Sequence, residues 1–298
     1  MLYRLSPALL ILITFILASC QSTMTPAQLK QAITSTLAQS EGQYAVAFKD
    51  LGPGTALEVN GDTSFHAAST MKTPILIEVY KQAAAGKLSL SDSILVKNEF
   101  HSIVDSSTYS LNPEDDSEKD LYTRIGTKRT LYELVYDMII MSSNLATNIV
   151  IEYVDAKKVT QTMRDLGARD IQVLRGVEDS KAYQKKLNNT STAHDLMVIF
   201  DKIATGQAVD SAADQAMINI LLDQKFNEII PAKLPKDVKV AHKTGNITGV
   251  QHDSGIVFLP DGRKYVLVIL SKGIKDEKAA IENMARVSEM IYQYVISQ

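Results

Sequence analysis

Tryptophan is absent from the 298 residues, and cysteine occurs once. Lack of tryptophan argues against a carbohydrate platform or an aromatic cage. One cysteine excludes any disulfide within the chain. Charge of one sign is nowhere concentrated. Lys and Arg number 31 against 34 Asp and Glu, a formal charge of −3. No basic stripe is present, so the electrostatic footprint of a nucleic-acid binder is missing. No fixed-period repeat or low-complexity tract appears. The chain also lacks a G-x-S-x-G nucleophile elbow, an H-E-x-x-H metal helix, a phosphate loop and a dinucleotide fingerprint. Its five histidines, His66, His101, His194, His242 and His252, are scattered without ligand-like spacing. No metal or cofactor is expected. Apolar content of 45% and charged content of 22% are ordinary for a globular protein.

The N-terminus has a directional pattern. Arg4 precedes an apolar run from Ala8 to Leu17, then Ala18, Ser19 and Cys20. A positive start, a short apolar stretch and small residues describe an export signal over residues 1–19. The run is shorter than the ~20 apolar residues that span a bilayer. Leu17-Ala18-Ser19-Cys20 resembles the lipobox of bacterial lipoproteins. That resemblance implies acylation of Cys20 and anchoring on the periplasmic or outer face of a membrane, with several acyl chains giving stable attachment. Gln21 after the cysteine is compatible with outer-membrane sorting, and residues 20–28 read as a tether.

Beyond it the spacing predicts a helix from Pro26 to Ser40, through Leu29, Ile33 and Leu37. Tyr44–Lys49 and Thr55–Val59 read as a hairpin about Gly52-Pro53-Gly54. Ser69–Ala85 reads as one helix stopped by Gly86, with Pro74 tolerated near its first turn. Residues 98–129 are polar and read as a long loop or insertion bordering a cleft. Tyr109 is placed either at that entrance or on the bare surface. Thr130 opens a helix with a capping-box signature, and helices follow over Asn144–Val154, Val159–Leu166, Thr192–Ala204 and Ser211–Asp223. Val238–Lys243, Gln251–Leu259 and Lys264–Ser271 read as strands, with Pro260-Asp261-Gly262 as a tight turn. Glu277–Val295 closes the chain as a helix. Strands at both ends predict one antiparallel sheet built from the two termini around an inserted helical lobe.

Three short motifs carry chemistry. Ser69-Thr70-Met71-Lys72 sets a hydroxyl one helical turn from an amine, and a serine needs such a base to become a nucleophile. Ser142-Ser143-Asn144 falls between two helices. There Ser142 can pass a proton to a leaving nitrogen and Asn144 can hold a substrate amide. Lys243-Thr244-Gly245 stands at a strand end, where a cation and a hydroxyl can fix a carboxylate and glycine leaves room for ligand. Each alone also reads as ordinary capping or surface charge.

Taken together and in this order, they resemble the S-x-x-K, S-D-N and K-T-G set of class A β-lactamases and penicillin-binding proteins. The resemblance runs from about Leu29 to Ile296. It implies an α/β (α+β) fold of serine β-lactamase/transpeptidase type, with a five-stranded antiparallel sheet, flanking helices and an all-helical lobe. The sheet lobe would take residues 29–64 and 207–298, and the helical lobe 65–206. It implies acylation of Ser69, with Lys72 as base and Ser142 as proton relay. Lys243, Thr244, Gly245, Asn246 and Asn144 would contact substrate, and the N–H groups of Ser69 and Asn246 would form an oxyanion hole. The substrate would be a β-lactam or a peptidoglycan peptide, the protein a monomer with no nucleic-acid partner.

Two positions depart from the family pattern. Ser143 stands where the family has Asp, a hydrogen-bonding residue. The deacylating glutamate of the E-x-x-L-N pattern is assigned to Glu178, with Arg175 and Asp179 expected to pair and brace its loop. The Leu187-Asn188 pair lies further on than that pattern requires. A β-lactam hydrolase is therefore the leading expectation. A penicillin-binding D-Ala-D-Ala peptidase or slowly deacylating lipoprotein comes second, and a non-catalytic surface lipoprotein third.

Overall fold

The computed structural model describes residues 24–298. The export segment and Cys20 lie outside the described residues. The first helix, α1 (Pro26–Leu37), starts three residues inside the expected tether. Its N-cap is Thr25, whose side chain accepts from the Gln28 amide while the Gln28 side chain returns to the Thr25 backbone.

Strands β1 (Gln43–Asp50) and β2 (Ala56–Val59) form the expected hairpin. A two-residue strand β3 (Phe65–His66) leads into a 3₁₀ turn, Ala68–Met71, and then α2 (Lys72–Ala84). The expected single helix from Ser69 is thus two pieces. Pro74 accounts for part of this: it sits in the first turn of α2, where its missing N–H costs nothing. A 3₁₀ turn eclipses residues three apart, so Ser69 and Lys72 still share a face.

The insertion is short-range structure rather than open loop. β4 (Ser93–Leu95) pairs with β7 (Lys128–Thr130), and β5 (Phe100–His101) with β6 (Thr108–Tyr109). Two 3₁₀ turns, Pro113–Asp115 and Asp120–Arg124, lie between. Buried Leu111 and Leu121 pin it to the core. Helices α3 (Leu131–Ile140), α4 (Asn144–Val154), α5 (Ala156–Leu166) and the short α6 (Ser180–Gln184) follow. A two-residue strand, β8 (Thr190–Ser191), pairs with β3. Then come α7 (Ala193–Ala204), α8 (Ser211–Leu222), β9 (Lys239–Ile247), β10 (Val250–Phe258), β11 (Lys264–Lys272) and α9 (Glu277–Ser297).

The main sheet has five strands in the order β2-β1-β11-β10-β9, all antiparallel. It joins the two ends of the chain directly, Gln43 facing Lys272 and Asp50 facing Tyr265. Both faces are covered, so its central strands read as continuous apolar runs, with the faces alternating along each strand. On β11, Tyr265, Leu267 and Ile269 join a core with residues of α1 and α9. Val266, Val268 and Leu270 point the other way, into the core shared with the helices. Helix α7, inside the stretch assigned to the helical lobe, lies on this second face against β1, β10 and β11. Edge strand β9 borders the helical lobe, and the cleft runs along it. Among the described residues, no helix is long and apolar enough to cross a membrane.

Candidate active site

Ser69 lies at the centre of the cleft. On one side is a space of about 570 Å³ lined by Ser142, Asn144, Thr244, Asn246 and the insertion residues Glu114 to Ser117. On the other is a space of about 360 Å³ lined by His66, Arg175, Glu178, Asp179 and Ile247. The insertion therefore borders the cleft as expected.

Three segments converge here. The 3₁₀ turn presents Ser69 from the floor. Strand β9 runs beside it, and Gly245 allows that approach: a Cβ there would lie 3.2 Å from the amide nitrogens of Ser69 and Thr70. Lys243-Thr244-Gly245 is mid-strand, since β9 continues to Ile247. The third segment is the turn between α3 and α4, which carries Ser142 and Asn144.

Lys72 and Lys243 are both completely buried. The Lys72 Nζ donates to the Ser142 carbonyl at 2.6 Å, the Ser142 Oγ at 3.2 Å and the Asn144 Oδ1 at 3.1 Å. The Lys243 Nζ donates to the same Ser142 Oγ at 3.1 Å and to the Thr244 carbonyl at 2.9 Å. Two amines thus share one hydroxyl. Burial pushes the Lys72 amine down to about 7, against the pull of the Asp116 and Glu178 carboxylates. Burial also takes Lys243 well below the ordinary lysine range; the positive charge of Lys72 adds to this and Asp253 opposes it. An amine that is neutral near pH 7 is a competent base.

Asn144 connects this pair to Glu178. Its Nδ2 donates to the Glu178 Oε1 at 2.9 Å while its Oδ1 accepts from Lys72. Glu178 is half-buried, and burial raises its carboxyl above the ordinary range, with hydrogen bonds from Asn144 and the Asn112 backbone opposing. Three non-glycine residues at the site hold left-handed backbone: Ala68 (φ 44°), Ser142 (φ 57°) and Glu178 (φ 63°). Each such position costs roughly 1–3 kcal/mol and persists only when its surroundings enforce it.

The Glu178 loop is held differently from the expectation. Arg175 and Asp179 form no ion pair. The Arg175 guanidinium donates instead to the carbonyls of Leu187 and Gly176 and, at 3.4 Å, to the Asn188 Oδ1. Asp179 accepts from the Ser102 hydroxyl and the amides of Ile103 and Ala182, which ties the loop to the insertion. The guanidinium is filled by carbonyls at both ends of the loop, and the carboxylate by two amides and a hydroxyl.

Composition and motifs did not reveal the other braces. The Asn148 Oδ1 accepts from the Val177 amide at 2.6 Å, and its Nδ2 donates to the Val177 carbonyl at 3.1 Å. Gly176 is required by this contact, because a Cβ there would meet the Asn148 Oδ1 at 2.2 Å. Buried Asn189 accepts from the amides of Leu174 and Arg175 and donates to the Arg175 carbonyl at 2.9 Å. Its carbonyl receives the Ala67 amide, just before the turn that carries Ser69. Tyr109 lies behind the loop, its hydroxyl donating to the Val177 carbonyl at 3.3 Å, rather than at the cleft entrance or on the bare surface.

His66 accepts the Ala68 amide on its Nδ1, a helix-entry role as expected. His242 is buried against Asp253, its Nδ1 2.8 Å from Oδ1. His194 departs from the scattered pattern: its ligand atom lies within 4.8 Å of those of Glu58 and Asp62. A 2.8 Å contact between the His194 Nδ1 and the Glu58 Oε1 joins two of these residues. None of the three lines the cleft.

A family model described as the beta-lactamase enzyme family matches residues 28–295. The chain belongs to that family. A β-lactamase of Rhodobacter capsulatus is 31% identical over 142 residues, 46% of this chain and 44% of that protein. This chain thus matches under half the length of that relative. Among solved structures, PBP-A superposes with a TM-score of 0.79 at 26% identity, over 91% of this chain and 96% of the other. A β-lactamase from Sphaerobacter thermophilus gives the same TM-score at 25% identity, over 92% and 99%. As a β-lactamase-family fold, the five-stranded sheet and its helices meet the expectation from sequence.

Proposed function

We propose that this protein is a class A-like serine β-lactam hydrolase that forms and then hydrolyses an acyl-enzyme at Ser69. The carrying observation is the chain of contacts Lys243–Ser142–Lys72–Asn144–Glu178, in which both lysines are buried. It links the base of one half-reaction to the base of the other across the cleft that holds Ser69.

In the first half, the Ser69 hydroxyl gives its proton to the Lys72 amine as its oxygen bonds to the lactam carbonyl carbon. The negative oxygen is received by the amides of Ser69 and Asn246. The carbon–nitrogen bond then breaks, the Ser142 hydroxyl protonates the leaving nitrogen, and Lys72 returns a proton to Ser142. The substrate carboxylate binds Lys243 and Thr244, and its negative charge favours the protonated form that burial disfavours. Asn144 holds the substrate amide. In the second half, Glu178 takes a proton from water as the water oxygen attacks the ester carbon. The carbon–oxygen bond to Ser69 then breaks, and the proton held by Glu178 passes to the departing Ser69 oxygen, restoring both groups. Raised by burial, the Glu178 carboxylate is a stronger base than an exposed glutamate.

The test mixes the purified protein with a chromogenic cephalosporin and follows both turnover and intact mass. Many turnovers per molecule, with a Glu178→Gln variant accumulating a covalent adduct on Ser69, are expected. A single stable adduct on the parent would instead support a penicillin-binding protein that deacylates slowly. No adduct and no turnover would refute serine acylation altogether. Glu178→Gln turning over normally would remove that residue from the mechanism.

Export and acylation at Cys20 belong to the same proposal. Mature protein extracted from membranes should begin at Cys20 and carry lipid mass; an unmodified or different N-terminus would reject it.

A further inference from the structure

The Ser142-Ser143-Asn144 segment lacks the carboxylate that its motif normally has, yet a buried carboxylate reaches it from elsewhere. Asp116, 4% exposed, lies on the insertion between its two 3₁₀ turns. Its Oδ2 accepts from the Asn144 amide and the Leu145 amide, both at 2.9 Å, and from the Tyr122 hydroxyl at 2.9 Å. Its Oδ1 accepts from the Glu118 amide at 3.1 Å. Both carboxylate oxygens are therefore engaged, one with the first two amides of α4. Ser143 supplies only an ordinary cap, its Oγ accepting from the Ala146 amide at 3.1 Å.

The bonded amides begin two residues after Ser142, whose backbone is in the left-handed region. Such a conformation holds only where its neighbours are fixed. Asn144, whose amide Asp116 grips, is also the residue that bridges Lys72 and Glu178. A carboxylate at a helix N-terminus also opposes the positive end of the helix dipole.

We propose that Asp116 is a positioning residue for the reaction. From the insertion, its carboxylate holds the Ser142–Asn144 turn against Lys72, in place of the missing motif carboxylate at position 143. The insertion is then part of the catalytic framework and not only its rim. This inference rests on the acylation of Ser69 proposed above.

Its charge has a second consequence. Lys72 faces the carboxylates of Asp116 and Glu178, the amine of Lys243, and the polar groups of Ser142 and Asn144. Removing the Asp116 charge makes neutral Lys72 easier to reach. The same loss lowers the carboxyl of Glu178, which Asp116 and Asp115 help to raise. Both effects move the acid limb of activity to lower pH.

The test uses Asp116→Ala and Asp116→Asn, each checked by thermal melting, with cephalosporin hydrolysis and adduct formation followed across pH. Asp116→Ala loses three charge-assisted amide bonds, two of them to the start of α4, and is expected to lower kcat/KM by about 100-fold or more. Asp116→Asn keeps an acceptor oxygen for those amides and is expected to stay within about tenfold of the parent. Its acid limb should fall by about half a pH unit or more. A folded Asp116→Ala protein within about threefold of the parent would overturn the proposal. Asp116→Asn would also overturn it by leaving the acid limb where the parent has it, even if the alanine variant does not fold. A parent that forms no Ser69 adduct refutes the acylation reading itself. A parent acylated normally beside unaffected variants refutes only the role of Asp116.

Discussion

Burying Lys72 should make the stability of this protein depend on pH with a predictable sign. In the folded state its amine is pushed down to about 7, from an ordinary value of 10.5. Between those values the unfolded chain binds the proton and the folded chain does not, so stability rises with pH through this window. The contribution is fully present above 10.5 and is lost as pH falls to about 7. The full window corresponds to about 5 kcal/mol at 1.36 kcal/mol per unit. The perturbation is Lys72→Met, which keeps most of the stem and removes the titrating group. It also strands the Ser142 carbonyl and the Asn144 Oδ1, but that cost does not vary with pH in this range. Lys243 is present in both proteins, and above about pH 7 its neighbour Lys72 is neutral in the folded parent, so the comparison isolates Lys72. Urea unfolding of parent and variant from pH 6 to pH 10 reads the effect. The parent should gain about 4 kcal/mol on the variant between pH 7 and pH 10. A gap that changes by less than about 1 kcal/mol, or that narrows with rising pH, would refute the buried-amine account.

Activity should carry the same group's signature: kcat/KM of the parent falls as pH drops through about 7, where Lys72 takes up its proton, and a pH–rate profile checks this. Gly176→Ala should drive a Cβ into the Asn148 Oδ1, 2.2 Å away, and displace the Glu178 loop. Turnover should drop by about tenfold or more while burst acylation of Ser69 persists, as rapid-mixing kinetics would show. Gly245→Val should wedge β9 away from the Ser69 amide and slow acylation itself, measured by adduct mass against time. Asp195→Ala should cost about 2–4 kcal/mol in urea unfolding. Its buried carboxylate accepts the amides of Arg169, Asp170 and Ile171, which it would leave unpaired.

The residues doing the proposed chemistry were legible because their signals are local. Ser69 and Lys72 lie three apart, and Ser142 and Asn144 share one turn. Lys243 to Asn246 follow one another on a strand. Sheet and helices were legible for a similar reason: helical spacing gives way to short apolar runs bounded by turn residues after Gln43 and again near Lys239. What was not legible depends on distance along the chain. Asn148 reaches Val177, Asn189 reaches Arg175, and Asp116 reaches Asn144, each across more than a dozen residues. Nothing near Asp116 in the sequence separates it from Asp115, which ends the preceding 3₁₀ turn and bonds only locally. The Arg175–Asp179 pairing failed for a physical reason as well. Opposite charges four apart suggest a pair, but Arg175 is taken up by two carbonyls and Asn188, and Asp179 by two amides and the Ser102 hydroxyl. The 3₁₀ break before α2 escaped detection because helical spacing looks the same over a single turn.

The joining of β1 to β11 has a consequence for how this protein comes into being. Strand β1 is made early and its partner more than 200 residues later. The face of β1 carrying Val46 and Phe48 cannot be covered until α9, the last element, has formed. A chain released before α9 would expose that face and an unpaired strand edge together, the combination most prone to aggregation. Pairings this distant are slow to form. The cleft, bordered by β9, is therefore finished only when nearly the whole polypeptide is free to fold at once. A truncation of even the final helix should yield insoluble protein rather than a weakened enzyme.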